Sequence, residues 1–215
     1  MMRDYDISGL DMSDGKIIFG GSFDPVHKGH ISMALAAFRE LPADEIIMIP
    51  TKLTYYKKRK LTCNSDRLKM LRLAAEPYPY MSVSDMELKA PVEENYTVNT
   101  LEKLKNIYPG RELFFLIGGD SLAYLDTWYK AERLFQLAVF VAAVRGEVDI
   151  EKAADIIGHL RERFPGARIR LLDTEPVDVS STDIRNAAAE GRSIRGMVPD
   201  RVEEYIVSKG LYRKK

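Results

Sequence analysis

Cysteine is almost absent: Cys63 is the one thiol in 215 residues. No disulfide can close within the chain, and no Cys-x-x-Cys or Cys/His metal spacing exists. A reducing cytoplasm is the expected home. Cys63 has no catalytic context around it and reads as incidental. Neither sign of charge is in excess: 32 Lys and Arg balance 32 Asp and Glu. That neutrality argues against binding to nucleic acid or to an acidic membrane surface. No apolar run approaches the roughly 20 residues that cross a bilayer. The opening Met-Met-Arg-Asp-Tyr-Asp lacks the apolar segment of a signal peptide. Repeats, low-complexity tracts and linkers are missing too. Residues 1–15 therefore read as a loose extension and 16–215 as one domain. A homo-oligomer is compatible with the sequence but not specified by it.

Present instead are short apolar runs spaced by amphipathic stretches. The runs are Lys16–Gly20, Glu45–Pro50, Leu113–Gly118, Ala138–Ala142 and Ile169–Leu172. Several are continuous rather than alternating, as expected of parallel strands covered on both faces. Between them, Ile31–Phe38, Ser65–Ala75 and Ile150–Phe164 have helical character. The second places Leu68, Leu71 and Ala75 on one face. The third does so for Ile150, Ala153, Ala154 and Ile157. A last helix from Pro199 to Lys209 stops at Gly210 and docks through Val202, Tyr205 and Ile206. Strands alternating with helices give a doubly wound, Rossmann-like α/β sheet. Ligands in such sheets bind beyond the carboxyl ends of the strands, where strand order reverses. The chemistry should lie just after Phe19, Ile49, Ile117 and Leu172.

The first of these turns reads Gly20-Gly21-Ser22-Phe23-Asp24-Pro25-Val26-His27-Lys28-Gly29-His30. Gly20 and Gly21 permit close backbone approach and positive φ. A helix starting near Lys28 offers its first N–H groups to an anion. His27 and His30, three apart, share one side of its first turn, and Gly29 removes a side chain between them. The pair has no third ligand at zinc spacing. After the last strand, Ser180-Ser181-Thr182-Asp183-Ile184-Arg185 opens another helix with capping-box spacing. Its hydroxyls and Arg185 add donors for a polyphosphate.

The first stretch resembles the signature of the nucleotidylyltransferase superfamily with the (His/Thr)-x-Gly-His motif, a motif similar to one in class I aminoacyl-tRNA synthetases. The second resembles that superfamily's Ile-Ser-Ser-Thr-x-x-Arg, with Val179 in place of Ile. The resemblance implies that His27 and His30 contact ATP phosphates, with His30 stabilising charge on the α-phosphate. It implies that Ser180, Ser181, Thr182 and Arg185 hold the β- and γ-phosphates. Gly20, Gly21, Ser22, Phe23, Gly29, Gly118 and Asp120 would complete the ATP site, with Asp120 also a plain helix N-cap candidate. Mg²⁺ would accompany ATP.

Further stretches resemble the bacterial nicotinate mononucleotide adenylyltransferase family: Asn95–Thr100, Leu116–Ser121 and Leu125–Lys130. The likeness runs from about Lys16 to Tyr212. It assigns the acceptor to Tyr96, Thr97, Lys57 and Trp128, whose ring would stack on the pyridine. The implied reaction joins ATP and nicotinate mononucleotide into deamido-NAD and pyrophosphate. The family's Pro-Pro-His-Lys loop is Thr54-Tyr55-Tyr56-Lys57 here. That departure leaves nicotinamide mononucleotide open as the acceptor. A sibling enzyme using pantetheine phosphate and a non-catalytic nucleotide-binding module are the remaining alternatives.

Overall fold

In the computed structural model, residues 15–52, 62–91, 96–144, 146–174 and 177–213 are described. Six strands form one parallel sheet: β1 (Gly15–Gly21), β2 (Ala43–Pro50), β3 (Met81–Val83), β4 (Leu113–Gly118), β5 (Val139–Val144) and β6 (Ile169–Asp173). Their order is β3-β2-β1-β4-β5-β6, with every neighbour parallel. The order reverses between β1 and β4, which creates the crevice for ligands beyond their carboxyl ends.

Side chains along each strand alternate between two cores. Ile17, Phe19, Ile46, Met48, Phe114, Leu116, Val139 and Val141 face one side of the sheet. Ile18, Ile47, Ile49, Phe115, Ile117, Phe140 and Ala142 face the other. This is the period of two applied to strands that are apolar on both faces. The first core is covered by α1 (Lys28–Glu40), α2 (Asn64–Ala75), α8 (Ser181–Ala189) and α9 (Asp200–Lys209). The second is covered by α4 (Thr97–Ile107), α6 (Ala131–Leu137) and α7 (Gly146–Arg163). Two single turns, α3 (Met86–Lys89) and α5 (Gly119–Leu122), complete the α-helices among the described residues, and a 3₁₀ turn spans Leu125–Thr127.

All five apolar runs are strands. The missed strand, β3, has only three residues and sits at the sheet edge, too short for a periodic signal. Gly15 belongs to β1, so the extension expected over 1–15 is shorter by at least one residue, and residues 1–14 lie outside the described ones. Along α7 the inward face is Ala153, Ile157 and Leu160, with Ala154 exposed. Ala154 is too small and too weakly apolar to set the face, which the larger side chains decide. Leu68 is only half-buried, whereas Leu71 and Ala75 are buried. Pro199 is the N-cap of α9 rather than its first residue, and Gly210 ends it at φ 59°, the left-handed conformation glycine tolerates.

Phe140 is fully buried and touches the rings of Phe115, Phe135 and Trp128 at centroid distances of 5.4, 5.5 and 6.3 Å. Phe140→Ala should cost about 3–5 kcal/mol of stability by urea titration. A loss under about 1 kcal/mol would contradict a tightly packed second core.

Candidate active site

The turn after β1 ends at the switch point. His27 is the N-cap of α1 and its backbone is extended, with φ −139° and ψ 170°. Its Nδ1 accepts from the His30 N–H at 3.4 Å, and the His30 Nδ1 accepts from the His27 N–H at 3.2 Å. This is a capping box in which imidazoles replace the usual hydroxyl and carboxylate. The rings lie 3.6 Å apart between centroids. His30 is also braced by Phe23 at 5.1 Å and Phe19 at 5.9 Å. A neutral imidazole that accepts at Nδ1 carries its hydrogen at Nε2. Both histidines are therefore held as Nε2–H donors.

A Cβ at position 29 would sit 3.1 Å from the His27 Nδ1 and 3.6 Å from the Val179 carbonyl oxygen. A side chain at 29 would thus press on the His27 ring, while the Val179 carbonyl would be at ordinary contact distance. The expectation of positive φ at Gly20 and Gly21 is not met; Phe23 carries it instead, with φ 43°. Those two glycines are small because rings crowd them: added Cβ atoms would lie 3.3 Å from Phe115 and 3.1 Å from Phe23. Part of the expected anion-binding helix end is occupied as well. The Lys28 N–H donates to the Met197 carbonyl at 3.0 Å.

The second expected segment meets the first. Ser180 caps α8 and forms a capping box with Asp183. The hydrogen bond from the Ser180 hydroxyl holds the Asp183 carboxyl below its ordinary pKa. The Ser181 hydroxyl donates to the Pro25 carbonyl at 3.0 Å. Arg185 donates to the Asp24 carbonyl at 2.8 Å and to the Thr182 hydroxyl at 2.9 Å. Two helix starts distant in sequence therefore converge on one turn, with His27, His30 and Arg185 around it.

Beyond β4, Gly118 is the N-cap of α5, and Asp120 stands exposed in its first turn. Asp120 is accordingly not the cap. An added Cβ at Gly118 would meet nothing within 4 Å, so the strand end is open there. Tyr96 is the N-cap of α4 and Thr97 its first residue. Trp128 is half-buried, edge-on to Phe115 and Phe140. It is part of the second core and also reaches the surface, beside exposed Tyr129, whose ring lies 4.4 Å from that of Tyr96. Lys57, Tyr55 and Tyr56 fall outside the described residues. At the end of β2, the Thr51 Oγ1 is buried without a hydrogen-bond partner among the described residues, and its N–H donates to the Gly21 carbonyl.

Sequence reasoning missed a buried polar group beneath the turn. Asp24 and Arg67 are both fully buried. Arg67 donates to the carbonyls of Ser22 at 2.7 Å and Thr62 at 3.2 Å, and to Asn64 Oδ1 at 2.6 Å. Burial lowers its pKa, while the Asp24 charge opposes that shift. Its position was a usable signal: it lies on the same helical stripe as Met70, Leu71 and Ala74, and a cation on an apolar stripe needs a partner.

The sheet order, the open crevice and the paired imidazoles facing a capped helix with its arginine define a nucleotidyltransferase of Rossmann-like architecture. Residues 18–187 match the model of the cytidylyltransferase-like family. The chain belongs to that family and, within it, to the nicotinate-nucleotide adenylyltransferases. A Carboxydothermus hydrogenoformans protein named "Probable nicotinate-nucleotide adenylyltransferase" is 36% identical over 94% of this chain and 100% of its own length. A Dehalococcoides mccartyi protein of the same name is 38% identical over 92% and 96%. The structure of Plasmodium falciparum nicotinic acid mononucleotide adenylyltransferase complexed with NaAD has a TM-score of 0.74. It is 22% identical and covers 93% of this chain and 98% of that one, a likeness of fold.

The histidine geometry is testable by long-range ¹H–¹⁵N correlation NMR. Both rings should show an unprotonated Nδ1 and a protonated Nε2 at neutral pH. A majority Nδ1–H tautomer in either ring would refute the reciprocal cap.

Proposed function

We propose that the chain transfers the adenylyl group of ATP to nicotinate mononucleotide, giving deamido-NAD and pyrophosphate. The supporting observation is the close His27–His30 pair, rings 3.6 Å apart, on a turn whose Asp24 carbonyl takes the Arg185 guanidinium, in a chain whose relatives carry that activity in their names. An oxygen of the acceptor's 5′-phosphate attacks the α-phosphorus of ATP in line. The bond from α-phosphorus to the bridging oxygen breaks, and pyrophosphate leaves with that oxygen. No covalent enzyme intermediate is involved, so catalysis is positioning and charge stabilisation.

The Nε2–H groups of His27 and His30 donate to the phosphates, His30 to the α-phosphate where charge develops. Ser180, Ser181, Thr182 and Arg185 take the β- and γ-phosphates. Arg185 and Ser181 do this while bracing the loop. Gly20, Gly21, Ser22, Phe23 and Gly29 bring backbone close to the triphosphate, and Gly118 and Asp120 lie against the adenosine. Tyr96, Thr97 and Trp128 receive the acceptor, with Trp128 beneath the pyridine ring.

Mg²⁺ fits this donor set as a metal carried in on the triphosphate. Mg²⁺ commonly relies on substrate phosphates for most of its ligands. When bound, it neutralises phosphate charge. The proposed setting is the cytoplasm, with ATP and nicotinate mononucleotide as small-molecule partners. Among the described residues no helix is long and apolar enough to cross a membrane.

Pyrophosphate release with ATP and a panel of nicotinate mononucleotide, nicotinamide mononucleotide and pantetheine phosphate tests the reading. Nicotinate mononucleotide should give the highest kcat/KM, and turnover confined to another acceptor would overturn it. His30→Ala should lower kcat by about 10²–10³ with the circular dichroism spectrum intact. An unchanged rate would remove His30 from the mechanism. Trp128→Ala should raise the acceptor KM about tenfold or more, whereas an effect on the ATP KM alone would refute ring stacking.

A further inference from the structure

The turn that carries His27 is anchored from below by a residue near the end of the chain. The Asp24 side chain is fully buried. One carboxylate oxygen accepts from the Tyr212 hydroxyl at 2.8 Å, and the other from the Thr62 N–H at 3.3 Å. The carbonyl of the same residue takes the Arg185 guanidinium at 2.8 Å. Any displacement of Asp24 is therefore felt by Arg185 directly and, three residues on, by His27.

The backbone of Tyr212 has φ 65°, a left-handed conformation that disfavours bulky residues. Glycine would occupy it without strain. A tyrosine held there is consistent with a hydroxyl that has to reach Asp24. Burial and then the Asp24 charge raise the phenol pKa, so the hydroxyl stays a donor at neutral pH. Docking of α9 does not need that hydroxyl. Val202 and Ile206, at 0% and 2% exposure, hold the helix on the first core.

We propose that Tyr212 is a positioning residue for nucleotide transfer: its hydroxyl, donated to the Asp24 carboxylate, sets the turn that presents His27 and the carbonyl that orients Arg185. The inference rests on the proposed use of this turn for ATP. Loss of the hydroxyl leaves a buried carboxylate short of one donor, and the turn shifts to recover it from water. Small misplacements of groups that touch the reacting phosphates are costly to rate.

The test is Tyr212→Phe in the full chain, which removes one oxygen and keeps the ring. With ATP, nicotinate mononucleotide and Mg²⁺, kcat/KM for ATP should fall about tenfold or more, as expected for a lost hydrogen bond to a charged group. The mononucleotide KM should stay within about twofold, since Thr97 and Trp128 sit on other elements of the fold. Without substrates, amide hydrogen exchange across residues 22–30 should be faster in the variant, while α9 amides keep their protection. Unchanged ATP kinetics and exchange would overturn the proposal. So would equal losses for both substrates accompanied by faster exchange throughout α9, which would mark general destabilisation. Failure of the wild-type chain to turn over would defeat the proposed function instead, and the exchange comparison would still decide whether Tyr212 sets the turn.

Discussion

The turn between β1 and α1 is held from the far end of the polypeptide. Ser181 bonds to Pro25, Arg185 to the carbonyl of Asp24, Met197 to the Lys28 N–H, and Tyr212 to the Asp24 carboxylate. The partners are up to 188 residues apart in sequence. The proposed catalytic groups His27 and Arg185 hang on this seam. If it opened, His27 and Arg185 would no longer share a site. Closing contacts over so long a stretch of chain costs entropy, which the two packed cores offset. The sheet provides a rigid floor, and the seam sets the position of loop residues relative to that floor.

Beneath the seam lies a buried charge, which proteins tolerate only when it is compensated. Asp24 and Arg67 are both without solvent exposure, and the Arg67 guanidinium is hydrogen-bonded by carbonyl and amide oxygens on three residues. A hydrophobic substitute of similar shape could be as stable. It would not specify one orientation for the backbone of residues 22–24, whereas directional hydrogen bonds do. Gly29 follows the same logic by exclusion, since a side chain there would press on the imidazole that caps α1.

Much of the fold was legible because parallel strands buried on both faces produce continuous apolar runs. Five of six strands announced themselves this way. The edge strand β3 did not, because its pairing with β2 spans only three residues. The site was legible where local chemistry is distinctive: the His27/His30 spacing and the Ser180/Asp183 box both appear as expected. It was illegible where function depends on long-range partners. Asp24 stood in plain view within the motif, yet its role needs Tyr212, Thr62 and Arg67 around it. Gly20 and Gly21 suggested positive φ from composition, but the rings of Phe115 and Phe23 set the need for small residues.

By itself, then, the order of residues determined the sheet, the helix starts and the chemical character of each strand end, because periodicity and capping act over a few positions. The tertiary structure alone decided that two of those helix starts face each other and that the Asp24 carboxylate is buried against the chain's last turn. These outcomes depend on distances between groups far apart in sequence. Such distances are set by packing both cores against one twisted sheet, and no local pattern encodes them.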